Sequence, residues 1–337
     1  MKIQKRLGGG AVAVVTSTAL LALTVVAGGA PAGARQLAKA AHAAASRPSI
    51  WYINPLTAYP LFNDSAAVFK AAAAKDGYSA TVVGSSTINI PQQITLIKQA
   101  ESSGAKAIIF CDLDPKTYRS TIMEAEAKGI VMITTSCTDT ISDYSVGTDN
   151  VAFGQKAAQT IAQNVGPAAN VATFGVNMTV PNQAASYNAF VAYAKKHYPK
   201  MKVSFIADQG SPSTTATDLE SLPQAYPKTN AIWFLEGGDD SIIASSLQHA
   251  KKKPGAYYVL AIDAMPTTLA EIKSGYVSET LAQCYFWATP FTAQLALAKL
   301  AGKGPTKQSW NIPVQVVGKK QLPYSGCPSS FYPKVAK

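Results

Sequence analysis

Five short apolar runs in this chain end in side chains able to exchange hydrogen bonds. Cys111-Asp112 follows AKAIIF, Ser136-Cys137 follows IVMITT, Glu236 follows AIWFL, Asp263 follows YYVLAI and Gln283 follows VSETLA. A continuous run of β-branched and large apolar residues is the mark of a strand buried on both faces. A carboxylate at the end of such a run is costly to bury unless it meets a partner. Acceptors and amides gathered at strand ends, fixed and shielded from water, suit the hydroxyls of a small ligand. On the residues alone, Asp263 serves a second duty equally well, as the cap of a helix that begins near Pro266.

Bond-making chemistry is not signalled. The chain lacks G-x-S-x-G, H-E-x-x-H and the phosphate-binding P-loop pattern. Of its three histidines, His42 falls in an N-terminal leader, while His197 and His249 end lysine-rich helical segments, where surface positions are expected. The four cysteines, Cys111, Cys137, Cys284 and Cys327, match no zinc spacing and leave two bridges in any of three connectivities.

The elements that must hold these side chains repeat one theme from Ser49 onward: an apolar run, a polar tip, then a helical segment ending in glycine. SIWYINP, YSATVVG, AKAIIFCD and IVMITTS predict four strands. Between them FNDSAAVFKAAAAKDG, PQQITLIKQAESSG and DPKTYRSTIMEAEAKG predict helices, the last with Asp114 as cap and Pro115 in its first turn. After Asn150 the theme restarts with a helix over NVAFGQKAAQTIAQNVG, then NVATFGV, MKVSFIA, AIWFLEG, YYVLAI and VSETLAQ as strands. Strands alternating with helices at this pace imply parallel sheets built from right-handed βαβ units, and such sheets bind ligands beyond their carboxyl ends.

The N-terminus addresses compartment. MKIQKR is a basic start, GGGAVAVVTSTALLALTVVAGGA is apolar and uncharged, and Ala32-Gly33-Ala34 is a small-x-small cleavage pattern. A membrane anchor is the competing reading, but the glycines and the cleavage pattern point to a secretory signal over 1–34, with a leader over 35–48. No cysteine precedes Cys111, so no lipid-modified cysteine is expected at the mature end. Removing 1–34 deletes three basic residues and no acidic ones, taking the net charge from +11 to +8. Seven lysines follow Glu279 with no acid among them, yet apart from Lys319-Lys320 they are scattered singly. That pattern is a solvated surface, and no nucleic-acid partner is expected.

The order of motifs resembles the sugar-type (type I, ribose-binding-protein-like) periplasmic solute-binding proteins, from about Ser49 to about Val317. Pro60 and Phe62 resemble the aromatic start of the family's first helix. Thr148-Asp149-Asn150 is similar to the segment crossing into the second lobe. Asp239-Asp240 heads a helix where the family has Asn-Asp, and Ile262-Asp263 and Thr280-Leu281-Ala282-Gln283 resemble its strand-end Asp and Gln. The resemblance implies an α/β fold of two Rossmann-like lobes joined by a three-strand hinge. Lobe one would comprise 49–149 with 285–310, and lobe two 150–284 with 311–337. It implies a monomeric, non-enzymatic receptor that needs no cofactor or metal, partnered by an ABC permease. A role as a sensor component docking on a membrane receptor uses the same closed state. A DNA-binding regulator of this fold would need a helix-turn-helix where 1–48 supplies an export signal.

The ligand set implied by the resemblance is Tyr59, Phe62, Ser136, Cys137, Asn182, Asp239, Asp263 and Gln283. Departures narrow the ligand. The family's strand-end Asp-Arg is here Ser136-Cys137, and no arginine lies in PNQAASYNAF, where the family carries one. A site without cations implies a small neutral ligand, less hydroxylated than a pentose or hexose. The implied fold also places Cys111 and Cys137 at the ends of consecutive strands, and Cys284 at a crossover near the C-terminal tail. The pairs expected are therefore Cys111–Cys137 and Cys284–Cys327. Tyr285, Phe286 and Trp287 are expected to pack the lobe junction.

Overall fold

The computed structural model describes residues 47–332, 334 and 335. The expected secretory signal, and all but the last two residues of the expected leader, lie outside the described residues. Two six-stranded sheets carry the fold. In the first, β1 (Ser49–Asn54), β2 (Ser79–Gly84), β3 (Ala107–Phe110), β4 (Val131–Ser136), β5 (Tyr144–Gly147) and β11 (Ser309–Asn311) run parallel in the order β11-β5-β4-β3-β1-β2. The second holds β6 (Asn170–Gly175), β7 (Lys202–Ala207), β8 (Ala231–Phe234), β9 (Tyr258–Ile262), β10 (Glu279–Gln283) and β12 (Val314–Gly318), in the order β12-β10-β9-β8-β6-β7. Only β12 pairs antiparallel, along β10. The α/β, two-lobed expectation is the observed architecture.

Alternation along each strand explains why both faces of each sheet are covered. Ile50 and Tyr52 of β1 point to one core, with α1 (Pro60–Lys75) and α9 (Ala288–Leu300). Trp51 and Ile53 point to the other, with α2 (Ile90–Ser102) and α3 (Pro115–Ala127). In the second sheet, Ala231 and Trp233 face α4 (Asn150–Val165) and α5 (Pro181–His197). Ile232 and Phe234 face α6 (Pro212–Ala225), α7 (Ile243–His249) and α8 (Pro266–Ser274). A strand with two apolar faces needs a helix layer on each, which is the physical origin of the three-layer lobe.

The chain crosses between the sheets three times: after β5, after β10 and between β11 and β12. Strands β5, β11 and β12, which carry these crossings, are absent from the sequence reading. YSVG and SWN are too short to show a period, and VQVVG lies in a basic tail. The tail beyond β12 returns to the first sheet's core, where Tyr332 packs on Phe291 with ring centroids 5.2 Å apart. Cys111 is bonded to Cys137 and Cys284 to Cys327, with Cα separations of 5.1 and 5.6 Å.

In the second lobe α4 and α5 approach so closely that a Cβ added at Gly154 would stand 2.0 Å from the Ser186 carbonyl oxygen. Gly154→Ala should therefore force the helices apart, at a cost of about 1–3 kcal/mol, and lower the thermal midpoint by several degrees. An unchanged midpoint in differential scanning calorimetry would contradict this packing.

Candidate functional site

Asp263 follows β9 directly and takes a left-handed backbone, φ 60°. Non-glycine residues pay for that conformation and keep it where the surroundings hold them. Here its N–H donates to the Leu281 carbonyl at 3.0 Å, and its own carbonyl accepts from the Thr280 hydroxyl at 2.5 Å. Those bonds turn the side chain out of the strand direction. The cap of α8 is Met265, without a side-chain bond, so Asp263 is not the helix cap.

The carboxylate is 4% exposed and is met from both lobes. The Tyr59 hydroxyl, from the turn before α1, donates to Oδ2 at 2.8 Å, and Gln283 Nε2 donates to Oδ1 at 3.2 Å. Gln283 is oriented in turn by the hydroxyls of Thr148 and Tyr285, 2.5 and 2.6 Å from its Oε1. Phe62 closes the group, edge-on to Tyr59 with centroids 5.6 Å apart. Gly237 lets Tyr59 approach, since a Cβ there would lie 2.3 Å from the phenol oxygen. Burial raises the Asp263 carboxyl to about 6, less than burial alone would give, because Tyr59 and Gln283 bond the charged form.

The expected residues divide into three places. Tyr59, Phe62, Asp263 and Gln283 gather in the cluster just described. Ser136, at φ 66°, touches it through its carbonyl, 3.5 Å from the Tyr285 hydroxyl. One residue on, Cys137 lines a cavity of about 340 Å³ shared with Asn182 at the start of α5. Asp239 stands apart from both. The 3-10 turn Gly237–Ile242 carries it inward, where it is 1% exposed and accepts from Thr215 at 3.0 Å.

Three contributors lay outside the ligand set read from the sequence. Thr148 and Tyr285 orient Gln283, and Tyr285 does so by its hydroxyl where only packing was expected. Asp112, 3% exposed, lines the 340 Å³ cavity. Its signal was present in the sequence as a polar strand end. On the other side of Gln283, a cavity of about 610 Å³ is walled by Leu61, Phe286, Trp287 and Tyr324. The two histidines among the described residues lie at the surface, His249 beside Glu220 at 2.9 Å and His197 stacked on Tyr193.

Buried acids dominate the electrostatics. Desolvation raises Asp112 to about 8, with the charge of Asp139 adding to it, and raises Asp239 to about 7, with Asp208 adding. Desolvation likewise raises Glu271 to about 7 and pushes Glu236 and Asp240 upward. The ion pairs at Glu101, Glu220 and Asp143 lie elsewhere. A folded state that holds protons the unfolded chain has released loses stability as pH rises. The contribution is complete below pH about 4, the ordinary carboxylate range, and fades as pH rises through about 6 to 8, where Asp263, Asp239 and Asp112 release their protons. The unfolding midpoint should therefore fall from pH 5 to pH 8, and a midpoint higher at pH 8 would contradict the burial of these groups.

A family model described as a periplasmic binding protein domain matches residues 50–304. Among curated proteins, none matches the chain. A solved solute-binding protein from Burkholderia graminis, in complex with D-arabinose, is 22% identical with a TM-score of 0.77, covering 83% of this chain and 98% of its own. A glucose-galactose binding protein from Geobacillus stearothermophilus is 19% identical with a TM-score of 0.76, covering 82% and 99%. One from Actinobacillus succinogenes with bound D-allose is 19% identical with a TM-score of 0.73, covering 85% and 100%. With its two parallel sheets and a lobe-to-lobe polar cluster at their strand ends, the chain belongs to the periplasmic binding protein family.

Proposed function

We propose that this chain is an exported solute-binding protein that captures a small, neutral, sugar-like ligand between its lobes and delivers it to an ABC importer. It acts as a monomer, carries no cofactor and performs no reaction. The observation that carries the reading is the bond from Tyr59 to Asp263, a hydroxyl of one lobe donating to a buried carboxylate of the other. A ligand hydroxyl can replace the phenol there, and the exchange keeps the carboxylate bonded throughout. Gln283 is already held in place to receive it. Ser136 reaches the cluster through its carbonyl, and Cys137 and Asn182 line the neighbouring cavity, while Asp239 stands apart in the interior.

Several facts support this reading. Solved proteins of the same fold bind D-arabinose, D-allose, or glucose and galactose. No helix among the described residues is long and apolar enough to cross a membrane. No lysine or arginine lines either cavity beside Gln283 and Cys137, which fits a neutral ligand.

A thermal-shift screen across sugars and polyols finds the ligand, because binding to the native state raises the midpoint. For that ligand, Asp263→Ala should abolish binding in calorimetry while the fold persists. Wild-type affinity in the variant would remove Asp263 from the site. Affinity should also hold constant on adding salt, and a steep loss would reveal a charged ligand.

A further inference from the structure

The second lobe is electrically polarised along its strands. Asp208 and Asp263 follow β7 and β9 directly, Asp239 lies in the turn after β8, and all three are buried at the cleft end. The opposite edge, where the parallel strands begin, carries lysines. Lys202 opens β7, Lys228 precedes β8, Lys253 precedes β9, Lys273 precedes β10 and Lys319 follows the antiparallel β12, every one of them exposed. Backbone bonds knit these positions into one edge. The Lys202 N–H donates to Ala169 at 2.9 Å, Asn230 to Asn170 at 3.0 Å, Tyr258 to Asn230 at 3.0 Å and Gly255 to Gly275 at 3.1 Å. Gly318 pairs with Glu279 beside them. Across six strands such a row is about 24 Å long.

A lysine in the last turn of a helix complements the helix dipole. That accounts for Lys273 of α8 and leaves Lys202, Lys228, Lys253 and Lys319, which lie outside the α-helices. None of the five is ion-paired among the described residues, whereas Lys128 and Lys299 of the first lobe meet Glu101 and Asp143. Glu279 opens β10 at this edge, but its carboxylate already accepts from Tyr258 and Asn164. Like charges set in a row repel, and an anionic surface laid against them relieves the repulsion.

The kind of cation identifies the surface. No arginine occurs in 150–284 or 311–337. Lysine is a point charge on a flexible stem, matched to a diffuse negative field more than to the two-pronged grip arginine takes on a single phosphate. Tyr226 stands 38% exposed and lines a cavity of about 320 Å³ together with Lys202 and Lys228. A tyrosine with an apolar body and a wet hydroxyl is the ring that settles at the level of lipid headgroups.

We propose that this edge of the second lobe is a docking surface for an anionic phospholipid bilayer, with the lysine row lying in the negative surface potential and Tyr226 entering the headgroup layer. The inference goes beyond solute capture and does not depend on it. It gives the receptor a hold on a membrane at the end of the lobe opposite the cleft.

The test is co-sedimentation of the full chain with vesicles of phosphatidylcholine alone, and of phosphatidylcholine mixed equally with phosphatidylglycerol. The N-terminal segment is the same in every protein compared, so differences report the lysines. Phosphatidylglycerol should tighten binding by about tenfold or more, since each lysine near an anionic surface contributes about fivefold. Salt at about 1 M, which shortens the screening length to about 3 Å, should remove that gain. So should the triple variant Lys202→Glu, Lys228→Glu and Lys253→Glu, with its melting midpoint unchanged because all three side chains are exposed. Lys70→Glu, Lys98→Glu and Lys106→Glu together change three exposed first-lobe lysines by the same net charge, and should keep most of the gain. Tyr226→Ser should weaken binding to the mixed vesicles and leave binding of soluble polyphosphate unchanged. Equal losses from the two triple variants would reduce the effect to net charge and overturn the proposal. Tight binding of polyphosphate without any gain from phosphatidylglycerol would overturn it in favour of a soluble polyanion.

Discussion

A carboxylate at the buried tip of a parallel strand must have a donor, and that requirement organises the cleft of this protein. Asp263 cannot find its donors within its own strand. It takes one from Gln283 on the neighbouring β10 and one from Tyr59 on the other lobe. The second bond ties the lobes together at the place where their strand ends face each other. Around it the structure is arranged to make that bond good: Gly237 leaves room for the phenol, Thr148 and Tyr285 fix the Gln283 amide, and Phe62 shields the edge of Tyr59. In a dry site each of these bonds is worth more than it would be in water, and each broken one costs more.

The strand order makes such a cluster available. In each sheet the chain reverses direction beside its first strand, between β1 and β3 in one and β6 and β8 in the other. Helices leaving on opposite sides of those points open a crevice at the strand ends, which is where open α/β sheets take their ligands. Three crossings let the two crevices face each other. Left-handed backbones at Ser136 and Asp263 mark the tips of β4 and β9, and the Asp263 side chain meets Tyr59 of the other lobe.

Much of this was legible because buried parallel strands announce themselves as unbroken apolar runs, and AIIF, AIWF and YVLAI all fall where the runs predict. The carboxylate at the end of such a run was equally visible at Asp263. What stayed hidden was tertiary. Tyr59 and Asp263 are 204 residues apart, and nothing local in either segment reports the other. Asp239 and Asp240 are adjacent and chemically alike, and only the 3-10 turn determines that both face the interior, Asp239 toward Thr215 and Asp240 toward Thr268. Asp112 was legible as a polar tip, but its burial beside a second acid emerges only when Thr134 and Asp139 are brought next to it. The short strands β5 and β11 are held by pairing more than by their own residues, so no period shows them.

The central claim is that the Tyr59 phenol holds the lobes together by occupying the position a solute hydroxyl would take. Small-angle X-ray scattering on solute-free wild type and Tyr59→Phe tests it most directly. The account predicts a compact wild type matching the two-lobed structure and a larger radius of gyration for the variant, which loses the hydroxyl and nothing else. Superimposable scattering curves from the two proteins would contradict it.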